Sequence, residues 1–203
     1  MKLYYSPGAC SLADHIVLEW IGKPYKAVRV SGDERKTPAF LALNPAGAVP
    51  VLEDDGWVLT QNSAILNYLA DLNPGAALLG DGTPRGRAEV AKWLAFVNSD
   101  IHPTFKPLFG AIGWIGDDAL VAKGKDVARS ALRGLFGRVD AQLAGREWVA
   151  GTRSIADPYL YVVLRWAKAM DVDLSGFGDL ERFFNAMQAD AGVRRALEQE
   201  GLA

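Results

Sequence analysis

The 203-residue sequence is short of the residues that staple small proteins or bind metals: it has one cysteine, Cys10, and two histidines, His15 and His102. A single cysteine excludes an intramolecular disulfide and fits a reducing compartment, so a cytoplasmic location is expected. One cysteine and two histidines at unrelated spacings cannot build the usual zinc frameworks, and no metal is expected. An excess of one charge is also missing. The chain has 22 Lys and Arg against 24 Asp and Glu, which leaves no basic footprint for nucleic acid. No apolar run is long enough to span a bilayer, and Asp14, His15 and Glu19 break up the first apolar stretch. A membrane partner, a membrane helix and a signal peptide are therefore not expected. Half of the residues are hydrophobic, so a sizeable core can form without staples.

The hydrophobic period changes repeatedly in the first third. "KLYY" reads as a strand, Ser11 to Ile21 as a helix, "YKAVRV" as an alternating strand and Thr37 to Leu43 as a short helix. "VPVLE", a "DDG" turn signal and "WVLT" form the pattern of an antiparallel hairpin, and Asn62 to Leu69 closes the unit as a helix. The resulting βαβαββα order is the thioredoxin-like arrangement, a mixed sheet with helices on both faces. From Asp71 to Arg85 glycines and prolines mark a linker, and beyond it only helical spacing remains: Arg85 to Phe109, Asp118 to Leu143, Ile155 to Met170, Leu180 to Ala189 and Val193 to Gln199. The expected fold is thus α/β plus all-α. Residues 1–74 form the first domain, 75–84 the linker and 85–203 an all-helical domain.

Candidate chemistry begins at "KLYYSPGACSL". Pro7 and Gly8 break the strand and the apolar pattern resumes straight after Cys10, which places the thiol at a helix N-terminus. Free N–H groups and the helix dipole there favour thiolate over thiol. A lone cysteine is otherwise a small buried apolar residue. Tyr5, at the end of the strand, and Ser11 are candidates for supporting a thiolate. In "NPAGAVPVLE", Pro50 opens a strand and Val49-Pro50 is a candidate cis bond, which would leave the Val49 peptide groups free to pair with a bound peptide. In "LTQNSAILNYL", Gln61 and Asn62 lie at a helix start whose N–H groups suit a carboxylate. Together these describe a receptor for a small thiol peptide.

With "YYSPGACSL", "NPAGAVPVLE", "LTQNSAILNYLADL" and "SIADPYLY" in order along its whole length, the chain resembles the soluble glutathione transferases, most closely the bacterial beta class. The resemblance implies a glutathione-binding first domain, a helical second domain supplying an electrophile pocket, and a homodimer. It places Cys10 at the active-site cysteine, Val49 and Pro50 beside the cysteinyl part of glutathione, and Gln61 and Asn62 at the γ-glutamyl end. Arg35 falls near a basic position for the glycyl carboxylate. His102 matches a histidine of the first long helix of the second domain, although Pro103 stands where a lysine is common and Lys106 would have to replace that charge. Phe105, Phe109, Trp114 and Trp166 are candidates for an apolar electrophile pocket. Ser154 and Asp157 form a capping box, expected to contribute about 1 kcal/mol of stability each.

The implied activity is conjugation of glutathione to small apolar electrophiles, with glutathione as co-substrate. Two alternatives stay open. One is disulfide exchange, peroxide reduction or dehalogenation through a mixed disulfide at Cys10. The other is a non-catalytic glutathione-binding protein.

Overall fold

The computed structural model describes residues 1–203. Strand β1 (Lys2–Tyr5) alternates its side chains so that Leu3 and Tyr5 enter the core. Helix α1 (Ser11–Ile21) follows the Pro7-Gly8 turn and ends at Gly22, whose φ of 71° is left-handed. Strand β2 (Lys26–Arg29) runs parallel to β1. A 3₁₀ turn (Glu34–Lys36) leads into α2 (Pro38–Leu43), where the Thr37 side chain accepts from the Phe40 N–H and Pro38 sits in the first turn. Strands β3 (Val51–Asp54) and β4 (Trp57–Thr60) form the expected hairpin. Asp55 and Gly56 at its tip both have positive φ, as a tight two-residue turn requires. Helix α3 (Asn62–Leu72) completes the first unit. The sheet order is β2-β1-β3-β4, with β1 and β3 antiparallel.

The second half is helical: α4 (Pro84–Phe96), a one-turn α5 (His102–Thr104), α6 (Asp118–Leu143), α7 (Ala156–Ala169), α8 (Gly178–Ala189) and α9 (Ala191–Glu200). The expected continuous helix from Arg85 to Phe109 is corrected. It passes through a π-turn at Val97–Ile101, and after Thr104 only turns follow. Pro103 and Pro107 lack the N–H that an α-helix needs, and the wider π-turn shifts the bonding pattern ahead of the first of them.

Helix α1 packs on α3, α7 and α9, so one hydrophobic core runs through both halves of the chain. A small second cluster of Val30, Phe40 and Val51 lies on the sheet face covered by α2. No helix is long and apolar enough to cross a membrane.

Candidate active site

A cleft of about 280 Å³ is walled by both halves of the chain. The first half contributes Cys10, Val49, Pro50, Gln61 and Asn62, and the second contributes Asn98, His102, Lys106 and Tyr159. Six of the sequence candidates are therefore brought together, from segments far apart in the chain.

Cys10 caps α1, and its Sγ lies 3.6 Å from the Val49 carbonyl oxygen, the geometry of a thiol donor. Burial, with a smaller contribution from the Asp14 carboxyl, pushes the thiol up to about 12, because the N–H groups of Cys10 and Ser11 offset only part of the desolvation. Burial thus opposes the thiolate that the helix N-terminus favours, while half-buried Cys10 still lines the cleft. Alkylation of Cys10 should accelerate about tenfold per pH unit between roughly pH 7 and 10 without levelling off. A plateau centred near pH 7 would show a thiolate after all.

The turn that presents Cys10 is held from the far end of the chain. The Gly8 N–H donates to Glu200 Oε2 at 2.8 Å, and the Gly8 carbonyl accepts from Trp166 Nε1 at 2.7 Å. The same Glu200 accepts from His15 Nδ1 at 2.9 Å, and His15 Nε2 lies 2.7 Å from Gln199 Oε1. Sequence reasoning missed this set, since nothing local connects α1 with α9.

Val49-Pro50 is cis. The Val49 N–H has no acceptor within the chain, so it is free to meet a ligand. Gln61 has a φ of 76°, rare for a residue with a side chain, and makes no side-chain cap bond to α3. It is exposed at the cleft, leaving the first N–H groups of that helix unpaired. Asn62 differs from expectation. With its nitrogen facing Asp14, the amide donates to Asp14 Oδ2 at 2.6 Å and Oδ1 at 3.2 Å, so its side chain is engaged inside the protein.

Several candidates do not reach the cleft. The Tyr5 hydroxyl donates to the Gln199 carbonyl at 3.3 Å, because strand alternation turns this side chain into the core with Leu3. Ser11 is fully buried, its hydroxyl exchanging bonds with the Ser6 backbone at 3.3 and 3.4 Å. Arg35 lies in the 3₁₀ turn and does not line the cleft, with its Nε buried and unpaired. Phe105 is 0% exposed and belongs to the core, while Phe109 and Trp114 face outward at 48% and 84% exposure. Trp166 is held against Gly8 and lines a separate groove with Arg165 and Lys168. None of these four aromatics lines the cleft.

The wall facing Cys10 is polar instead. His102 Nδ1 lies 2.5 Å from the Tyr159 hydroxyl. Burial, and then the nearby Lys106 charge, lower the His102 pKa, so the ring is neutral at neutral pH. Burial raises the Tyr159 pKa, and that hydroxyl keeps its proton. Tyr159 was legible only as part of the helix opened by the capping box. No cluster of three or more His, Cys, Asp or Glu side chains stands close enough to hold a metal ion.

The family model described as the glutathione S-transferase N-terminal domain matches residues 9–72, and the C-terminal domain model matches residues 87–190. A protein of Xanthomonas campestris pv. campestris named glutathione S-transferase GST-4.5 is 57% identical over 203 residues, covering 100% of both chains. The solved structure of a glutathione S-transferase from Xylella fastidiosa superposes with a TM-score of 0.98 at 50% identity, over 100% of this chain and 99% of that one. Two sphingomonad structures, one complexed with glutathione and one described as bacterial beta class, give TM-scores of 0.88 at 38% and 39% identity, each covering 100% of both chains.

Proposed function

Since the chain belongs to the glutathione S-transferase family, we propose that the cleft binds glutathione and bonds its thiol sulfur to an electrophile, the thiol proton and the electrophile's leaving group passing to solvent. The observation that carries this reading is a pair of unspent backbone donor sets in one cleft: the Val49 N–H and the first N–H groups of α3. Val49 suits the cysteinyl backbone of the tripeptide. The α3 terminus, flanked by Gln61, suits its γ-glutamyl carboxylate. The ligand thiol then lies against Cys10. Lowering its pKa from roughly 9 to between 6 and 7 requires about 3 to 4 kcal/mol of preferential thiolate stabilisation.

Cys10 is suited to this because it is protonated. A thiolate at Cys10 would repel the ligand thiolate, whereas a neutral thiol turns its S–H from the Val49 carbonyl to the ligand sulfur and donates. The same neutrality disfavours mixed-disulfide chemistry, which needs a Cys10 thiolate. Conjugation is accordingly the activity we assign, in line with the names of the relatives.

The electrophile meets Asn98, His102, Lys106 and Tyr159. We therefore assign a small electrophile carrying polar or anionic groups, in place of the apolar one expected from the aromatic residues. The remaining parts of the reading are a cytoplasmic homodimer and a division into residues 1–74 and 85–203. Exposed Trp57 packed against Tyr68 with the rings tilted by 60°, beside exposed Leu72, supports a partner surface on β4 and α3.

Titration calorimetry with glutathione tests the site. Binding by the wild-type chain, weakened about tenfold in Gln61→Ala, is the expected result. Absence of heat at millimolar glutathione would remove the assignment.

A further inference from the structure

Asp14 is a buried carboxyl that nothing in the conjugation chemistry above uses. It is 0% exposed and pairs with no lysine, arginine or histidine. Burying such a group is costly, and an apolar residue would pack at that position without the penalty. Its side-chain partner is the Asn62 amide, 2.6 Å from Oδ2 and 3.2 Å from Oδ1.

The placement gives that contact a use. Asp14 lies one turn beyond Cys10 on the same face of α1. Asn62 is the first residue of α3, so holding its side chain fixes the direction of the first N–H groups of that helix. We propose that Asp14 is a positioning residue of the cleft: by holding the Asn62 amide it ties the carboxylate-binding end of the cleft to the helix that carries Cys10. The contact also withdraws the Asn62 amide from the ligand and leaves Gln61 as the amide side chain presented to the γ-glutamyl group. This inference rests on the glutathione reading.

Three other titratable groups face Asp14: Cys10 on α1, Glu200 on α9 and Tyr159 on α7. Desolvation by burial, reinforced by Glu200, raises its pKa well above the usual carboxylate range.

Asp14→Leu and Asp14→Asn separate positioning from general stability. Leucine fills the space without an acceptor, while asparagine keeps a carbonyl acceptor for the Asn62 amide. For the leucine variant we expect glutathione Kd and KM to rise at least about fivefold, with kcat changed less than about twofold and Tm maintained or raised. Asp14→Asn should restore Kd to within about twofold of wild type. A merely structural role would lower Tm and leave the Kd of the folded fraction unchanged. The proposal is overturned if folded Asp14→Leu binds glutathione like wild type, or if asparagine weakens binding as much as leucine does. Should Asp14→Leu fail to fold, Asn62→Ala removes the same contact from the α3 side. There an unchanged Kd overturns the proposal and a comparable rise supports it. A wild-type chain that binds no glutathione removes the functional reading and this inference together, whereas wild-type binding with unchanged variants removes this inference alone.

Discussion

Glu200→Ala is expected to destabilise the protein by about 3 to 5 kcal/mol, because it breaks a buried pair and strands the partners. Both side chains of the His15–Glu200 pair are 0% exposed, and Glu200 also accepts the Gly8 N–H. Alanine leaves the His15 Nδ1–H and the Gly8 N–H facing a space that offers no acceptor. Each buried orphan costs about 1 to 3 kcal/mol. For a chain of this length the expected fall in Tm is on the order of 10 °C. Function should suffer separately from stability, since Gly8 carries the turn that delivers Cys10 and would remain tied only through Trp166. Thermal unfolding by circular dichroism and glutathione affinity measured well below Tm give the two readings. A Tm loss under about 3 °C would mean that the turn is held by other contacts.

The local signals in the sequence were sufficient where one segment supplies the whole cause. Pro7-Gly8 ends β1 and opens α1, and Asp55-Gly56 closes the hairpin, because those residues have few alternative conformations. Val49-Pro50 was readable for the same reason, whereas the Asn62 contact with Asp14 was not. Alternation along β1 already places Tyr5 with Leu3 on the core face, away from a ligand.

The aromatic candidates lie outside the cleft lining for a different reason. A helical period identifies an apolar stripe without saying what covers it. The π-turn at Val97–Ile101 also changes the phase of every residue after it, which sends Phe105 into the core. The contacts around Cys10 were out of reach altogether. His15 and Glu200 are 185 residues apart, and no periodicity reports a pairing between α1 and α9. The thiol pKa depends on the same tertiary surroundings. A helix N-terminus argues for thiolate, yet burial and Asp14 outweigh it.

Asp157→Ala should cost far more than the cap expected from its sequence motif. Asp157 is fully buried, and its carboxyl accepts three bonds: Val149 N–H at 3.0 Å, Ser154 N–H at 2.8 Å and the Ser154 hydroxyl at 3.0 Å. A surface cap stabilises by about 1 kcal/mol. Here alanine leaves two backbone N–H groups without an acceptor in the core, so the expected loss is about 3 to 5 kcal/mol. The loss should depend on pH in a fixed direction. Burial pushes the Asp157 carboxyl up to about 7, whereas the unfolded chain releases that proton near pH 4. The folded state therefore holds the extra proton between these values. The contribution is fully present below about pH 4 and is lost as pH rises through about 7. The difference in unfolding free energy between wild type and Asp157→Ala should consequently be larger at about pH 5 than at about pH 8. Urea unfolding at the two pH values measures it directly. If the penalty is near 1 kcal/mol and does not change with pH, Asp157 acts as an ordinary helix cap.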